Sequence, residues 1–113
     1  MDGYRVFTFD PATFPDPAGL DATLNAMGFR TVWNVSPTIK VEEGNALYEF
    51  GRDTNRFVKL AGSVADFIGQ GFPGDSVWVD FTSAASRAWF AAQYASMVVI
   101  GADGVWTDLN EPS

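Results

Sequence analysis

Trp106-Thr107-Asp108-Leu109-Asn110-Glu111-Pro112 gathers the chemistry of this chain into one short stretch. Two carboxylates stand three positions apart, with an indole two positions before the first. A carboxylate is already ionised at neutral pH and can attack a sugar anomeric carbon without activation, so an acid pair of this kind suits glycosidic chemistry. If the stretch before Asp108 is extended, Trp106 and Asp108 fall on one strand face, and the indole lines whatever pocket the carboxylate enters. Spacing alone leaves two plainer readings open, with Asp108 and Glu111 as solvated loop acids or Asp108 as a turn cap. Asp103, Asp108, Asn110 and Glu111 also offer oxygens to a cation, but the regular ligand alternation of an EF-hand is missing.

The elements that must position these residues follow from the pattern upstream. Gly101 to Val105 gives turn punctuation and a β-branched lead-in, so a buried strand is expected to deliver Asp108 at its C-terminal end. Tyr4 to Phe9 is β-branched and aromatic and reads as a first strand. Asp10 to Pro17 holds three prolines in eight residues and is loop. Asp16 is a good N-cap with Pro17 at the first helical position. Leu20, Leu24 and Met27 then share one helical face, and Gly28 closes the helix. Phe29 to Val35 is mostly apolar on both parities, as in a strand covered on both sides. Ser36-Pro37 breaks it. A long irregular excursion to about Asp80 is expected next, holding a small hairpin with arms Arg56–Leu60 and Val64–Ile68, and a turn cluster from Gln70 to Asp75. Excursions of that length usually carry function. Thr82 or Ser83 caps a second helix that runs to Gly101, with Trp89, Gln93 or Tyr94, and Met97 as its inner stripe. Alternation of strand, helix, strand, excursion, helix, strand implies an α/β class with right-handed crossovers and a parallel sheet.

Composition narrows the chemistry further. The 113 residues are 47% hydrophobic and 15% aromatic, enough for a real core and against disorder. A net charge of −7 leaves no basic stripe to neutralise phosphates, so neither nucleic acid nor an anionic membrane is expected as a partner. The longest apolar run, Ala95 to Ile100, is too short to span a bilayer. With no Cys and no His, there is no disulfide, no thiolate or imidazole metal site and no histidine-activated nucleophile. The work falls to carboxylates, hydroxyls and aromatic rings. Among the indoles, Trp89 reads as core and Trp106 as pocket lining. Asn34-Val35-Ser36 matches a glycosylation triplet, but Pro37 follows and Asn34 ends a strand, so it is discounted.

Several segments, in order, resemble glycoside hydrolase family 31, the α-glucosidase and α-xylosidase family: Tyr4 to Asp10 (YRVFTFD), Phe14 to Pro17, Gly28 to Trp33, Ser36 to Lys40, Phe72-Pro73-Gly74, Asp80-Phe81-Thr82, and Asp103 to Ser113 (DGVWTDLNEPS). The last resembles that family's signature around its nucleophile. The resemblance implies a (β/α)8 barrel, of which this chain is expected to be a central segment truncated at both ends, with about three strands and two helices. It implies a retaining mechanism in which Asp108 is the nucleophile, with Trp106 and Leu109 flanking it at the sugar subsite. Leu109 stands where the family usually has Met. Glu111 matches the signature's acid, in a supporting role. Asn34 falls where the family presents a strand-end residue, often Ile, to the same subsite. Phe72 replaces a Trp, which keeps an apolar wall and loses an indole N–H. Ser36 stands where many members have Asp.

No metal or organic cofactor is implied, and the implied partners are an oligosaccharide substrate and the remainder of the barrel. Retention needs a second carboxyl roughly 5–5.5 Å from the first. In the family that acid/base lies beyond the position of Ser113, so the 113 residues alone are expected to be inactive. The same intermediate can pass to water or to a sugar, so α-glucosyltransferases and α-xylosidases fall within the resemblance. A non-catalytic carbohydrate-binding fragment is the alternative from another class.

Overall fold

In the computed structural model, which describes residues 1–109, Asp16 opens the first helix, α1 (Pro17–Ala26), by accepting the Gly19 N–H at 2.8 Å. Gly28 closes it with φ +90°, donating its N–H to Asn25 while Phe29 donates to Leu24. The face of α1 differs from the expectation. Leu20 and Met27 are exposed, and the buried residue is Asp21, which accepts the Trp33 indole N–H at 3.2 Å. The helix is keyed to its neighbouring strand by a polar contact rather than by a leucine stripe.

That strand, β1 (Val32–Val35), is followed by β2 (Thr38–Lys40), α2 (Ala46–Asp53), β3 (Gly69–Gly71), β4 (Gly74–Trp78), α3 (Ala84–Gln93), α4 (Ala95–Val99) and β5 (Gly104–Thr107). β1 and β5 form a two-stranded parallel sheet; β2, β4 and β3, in that order, form a separate antiparallel one. The fold is mixed α/β, and these residues do not themselves close a barrel.

The expected strand from Tyr4 to Phe9 is absent. Asp2–Tyr4 is a single 3-10 turn, and both Tyr4 (φ +63°) and Phe7 (φ +61°) sit in left-handed backbone that no extended ladder accommodates. Thr8 holds this turn by accepting the Asp2 N–H and donating to the Arg5 carbonyl. The expected irregular excursion is also corrected, since it contains α2 and a whole sheet. Strand β4 is its spine, with Ser76, Val77 and Trp78 buried, paired with β2 on one side and β3 on the other. Phe72-Pro73 is the two-residue turn between β3 and β4, with Gly74 at φ +99°. The small hairpin forms in reduced shape, through the Lys59↔Asp66 bridge and the Phe67 N–H to Val58 carbonyl bond. The long helix after Ser83 is two helices meeting at Tyr94. Ser83 caps the first through the Ser86 N–H; Ser86 and Phe90 are buried in that helix and Met97 in the second.

The core gathers Val6, Val35, Ile39, Phe57, Val77, Val79, Phe90 and Met97. At one point its packing depends on a missing side chain. Gly51 in α2 lies so close to Phe57 that a Cβ there would fall 2.1 Å from the ring's Cζ. Gly51→Ala therefore forces a fully buried ring to move, at about 1–3 kcal/mol, against the roughly 1 kcal/mol that alanine gains in a helix. The expected outcome is a lowered thermal midpoint; a midpoint equal to or above wild type would overturn this account of the packing.

The register of the parallel pair is set at its N-terminal end. The Thr31 N–H donates to Asp103 Oδ2 at 3.0 Å, and the Gly104 N–H returns to the Thr31 carbonyl at 3.1 Å. The Thr31 bond, then the Arg30 guanidinium, hold the Asp103 carboxyl below its ordinary value near 3.8, outweighing partial desolvation. A carboxyl lowered in the folded state stabilises it above that ordinary value, and the contribution disappears as pH falls through the lowered one. Asp103→Asn keeps an acceptor for Thr31 and removes the charge. Thermal melts taken downward from about pH 4 should therefore fall less steeply for the variant than for wild type. Equal acid slopes would refute the assignment.

Candidate active site

Parallel pairing sets Val32 beside Gly104, Trp33 beside Val105, Asn34 beside Trp106 and Val35 beside Thr107. Alternation then divides these side chains between two faces. On one, Trp33 reaches Asp21 of α1, and Thr107 Oγ1 lies 3.2 Å from the hydroxyl of Tyr94, at the junction of α3 and α4. That is the helix-covered face. The other carries Val32, Asn34 and Trp106, and Asp108 follows it in parity. Val32 and Trp106 are 64% and 60% exposed. The strand expected to be buried is open, with Val105 and Thr107 exposed as well, and it is most open on the side that bears the candidate residues.

Asp108 sits just past the C-terminal end of β5. Its N–H extends the ladder by one rung to the Val35 carbonyl at 3.3 Å, and its side chain is half-exposed. Its Oδ1 accepts the Leu109 N–H at 2.9 Å, which fixes one carboxylate oxygen against the backbone. Leu109 has φ +56°, an arrangement that costs a leucine roughly 1–2 kcal/mol and must be imposed from outside. The imposing groups are two hydroxyls from the turn after β1. Thr38 Oγ1 donates to the Leu109 carbonyl at 2.8 Å and Ser36 Oγ at 3.4 Å, while Ser36 Oγ also accepts the Thr38 N–H. Both residues are buried.

The structure therefore brings together four of the residues singled out in the sequence: Asn34 and Trp106 in register, Asp108 and Leu109 directly beyond. Phe72 is elsewhere, on the tip of the β3–β4 turn, exposed, with its ring edge-on to Tyr4 at 5.3 Å between centroids. Glu111 lies outside the described residues. Ser36 and Thr38 were missed as a pair. The signal was present in a hydroxyl on each side of Pro37, immediately after the strand that β5 must join.

An open cavity of about 720 Å³ lies nearby, lined by Pro37, Phe81, Arg87, Phe90, Ala91, Tyr94 and Thr107. Asp108 does not line it. Thr107, whose side chain points to the helix-covered face, does. The cavity is thus a groove beside the helices rather than the space in front of the carboxylate. Among the described residues, no group of three or more metal-ligating side chains comes together, and no helix is long and apolar enough to cross a membrane.

Comparison with known proteins shows the family. The profile of the glycosyl hydrolases family 31 TIM-barrel domain matches residues 1–113. α-Glucosidase 2 of Bacillus thermoamyloliquefaciens is 38% identical over 114 residues, which cover 100% of this chain and 14% of that protein. Neutral α-glucosidase AB of Homo sapiens is 36% identical over 115 residues, covering 99% of this chain and 12% of that protein. Among solved structures, a family 31 α-glucosidase from Bacteroides thetaiotaomicron superposes with a TM-score of 0.89 at 38% identity, over 100% of this chain and 19% of that one. The chain thus spans less than a fifth of the relatives it matches.

Proposed function

We propose, because this chain belongs to glycosyl hydrolase family 31, that it is a central segment of a retaining α-glycosidase barrel and carries that enzyme's nucleophile, Asp108. The observation that carries the reading is the position of Asp108. It is a half-exposed carboxylate one residue past the end of a parallel strand, on the face that the helices leave open. In (β/α)8 enzymes, catalytic groups occupy the C-terminal ends of the strands. On this reading the open face of β1 and β5 looks into the barrel, and the strands that complete it come from the remainder of the enzyme.

The chemistry is double displacement at the anomeric carbon of a terminal α-linked glucose. One oxygen of Asp108 attacks as the glycosidic C–O bond breaks, and the leaving oxygen takes a proton from a second carboxyl supplied by the rest of the barrel. The covalent β-glycosyl ester is then cut by water, whose proton returns to that second group. Because Oδ1 is engaged by the Leu109 N–H, Oδ2 is the freer oxygen for attack. Trp106, with most of its indole uncovered, offers an apolar platform for the sugar ring, flanked by Leu109, and Asn34 offers polar edge contacts beside it. Phe72 belongs to a wall that forms only in the complete barrel, and Glu111 supports the loop. An α-glucosidase is the activity that the names of the 38% and 36% identical relatives favour.

In the complete enzyme, a 2-fluoro glycosyl fluoride should label Asp108, with mass spectrometry locating the adduct, and Asp108→Asn should lower kcat on an aryl α-glucoside by about 10³-fold or more. A label on Glu111, or an Asn variant with near wild-type turnover, would overturn the assignment. The 113 residues alone should show no turnover, and Asp108-dependent hydrolysis by them would refute the need for the remaining barrel.

A further inference from the structure

We infer that the buried hydroxyls of Thr38 and Ser36 are positioning groups for the Asp108 carboxylate, acting through the Leu109 peptide. The inference rests on the reading of Asp108 as nucleophile. Three observations lead to it. Thr38 and Ser36 both donate to one acceptor, the Leu109 carbonyl. Leu109 is held at φ +56°, which an unconstrained leucine leaves readily. The Leu109 N–H, at the other end of the same residue, is the donor that engages Asp108 Oδ1. Releasing the Leu109 carbonyl would loosen this residue at one end, and with it the N–H that restrains the carboxylate rotamer at the other.

Thr38 is itself fixed on its far side. A Cβ built on Gly71 would lie 2.5 Å from the Thr38 methyl and 2.8 Å from Ser76 Oγ, so the β3 backbone passes close against that methyl. The methyl seats the side chain against the antiparallel sheet, and the hydroxyl points to the carboxylate's loop. Branching at Cβ restricts χ1, so this seating directs the donor with little freedom. The antiparallel sheet thereby reaches the carboxylate without touching it. Since a small misplacement of a reacting group costs far more rate than binding, the effect should appear in the chemical step.

The test uses the complete enzyme with Thr38→Val, which keeps the shape and removes the hydroxyl, and Thr38→Ser, which keeps the hydroxyl and removes the methyl. Thr38→Val should lower kcat on an aryl α-glucoside by about tenfold or more with KM within roughly twofold, and should slow 2-fluoro glycosyl labelling of Asp108 by a like factor. Thr38→Ser should recover most of that rate. Wild-type kinetics for Thr38→Val, equal losses in both variants, or a change confined to KM would each overturn the inference. If Thr38→Val does not fold, Ser36→Ala carries the same test, with a smaller loss of kcat expected and an unchanged labelling rate counting against it. Labelling of the wild type separates the two claims. An adduct off Asp108 sinks the nucleophile assignment and this inference with it, whereas an adduct on Asp108 at equal rates in all variants sinks this inference alone.

Discussion

The parallel pairing of β1 with β5 is the constraint on which the rest depends. It joins residues more than seventy positions apart, and a loop of that length gives the pairing no help from proximity. Its register is therefore specified at both ends by polar contacts. At the start, the Asp103 carboxylate and the Thr31 backbone exchange bonds with the opposite strand. At the finish, the Asp108 N–H meets the Val35 carbonyl and the Leu109 carbonyl meets two hydroxyls. A slip of one residue would turn Trp106 and Asp108 onto the helix-covered face. The same bonds that keep the pair in register hold the acidic end of β5 in place.

The intervening segment supports that end from below. β2 follows Pro37 directly, so the turn that grips Leu109 links the last strand residue of β1 to the first of the antiparallel sheet. β4 then carries the load into the core through Val77, with Val79 just beyond its end, and Phe57 nests against the bare backbone of Gly51. The aromatic side chains of residues 7 to 14 complete the packing without forming a strand. Phe7 meets Phe90 and Tyr94 edge-on, and Phe9 and Phe14 meet Trp33. Such edge contacts hold a segment in place where backbone pairing is absent.

Local rules served the sequence well where the signal was local. Asp16-Pro17, Gly28 and Ser83 mark helix ends in the structure because caps depend on a few adjacent residues. The place of Asp108, just past the end of a strand, was legible for the same reason, since the strand signal before it is local. Burial was harder to read. Leu20, Leu24 and Met27 have helical spacing, yet two of them are exposed and Asp21 is buried, because the partner of that face is an indole with an N–H to satisfy. β4 was overlooked although Val77 to Val79 is an apolar, largely β-branched run, since the glycines before it read as loop. Tyr4 to Phe9 has strand composition and no strand. Its conformation is decided by the Thr8 hydroxyl and two left-handed aromatics, which no periodicity encodes. The hydroxyl pair at Ser36 and Thr38 is a tertiary device, meaningful only once the end of β5 is beside it.

Asp21 and Trp33 carry a consequence for how this sequence can vary. The carboxylate is almost wholly out of solvent, with the indole N–H and the Asn25 amide as its side-chain donors and the Gly101 backbone closing over it. Replacing either partner alone strands a buried polar atom, whereas replacing both with apolar groups leaves nothing unpaired. The two positions are therefore an epistatic pair. A homologue that loses the indole is free to lose the acid, and a lineage that begins the exchange at either position crosses a less stable intermediate before reaching the other side.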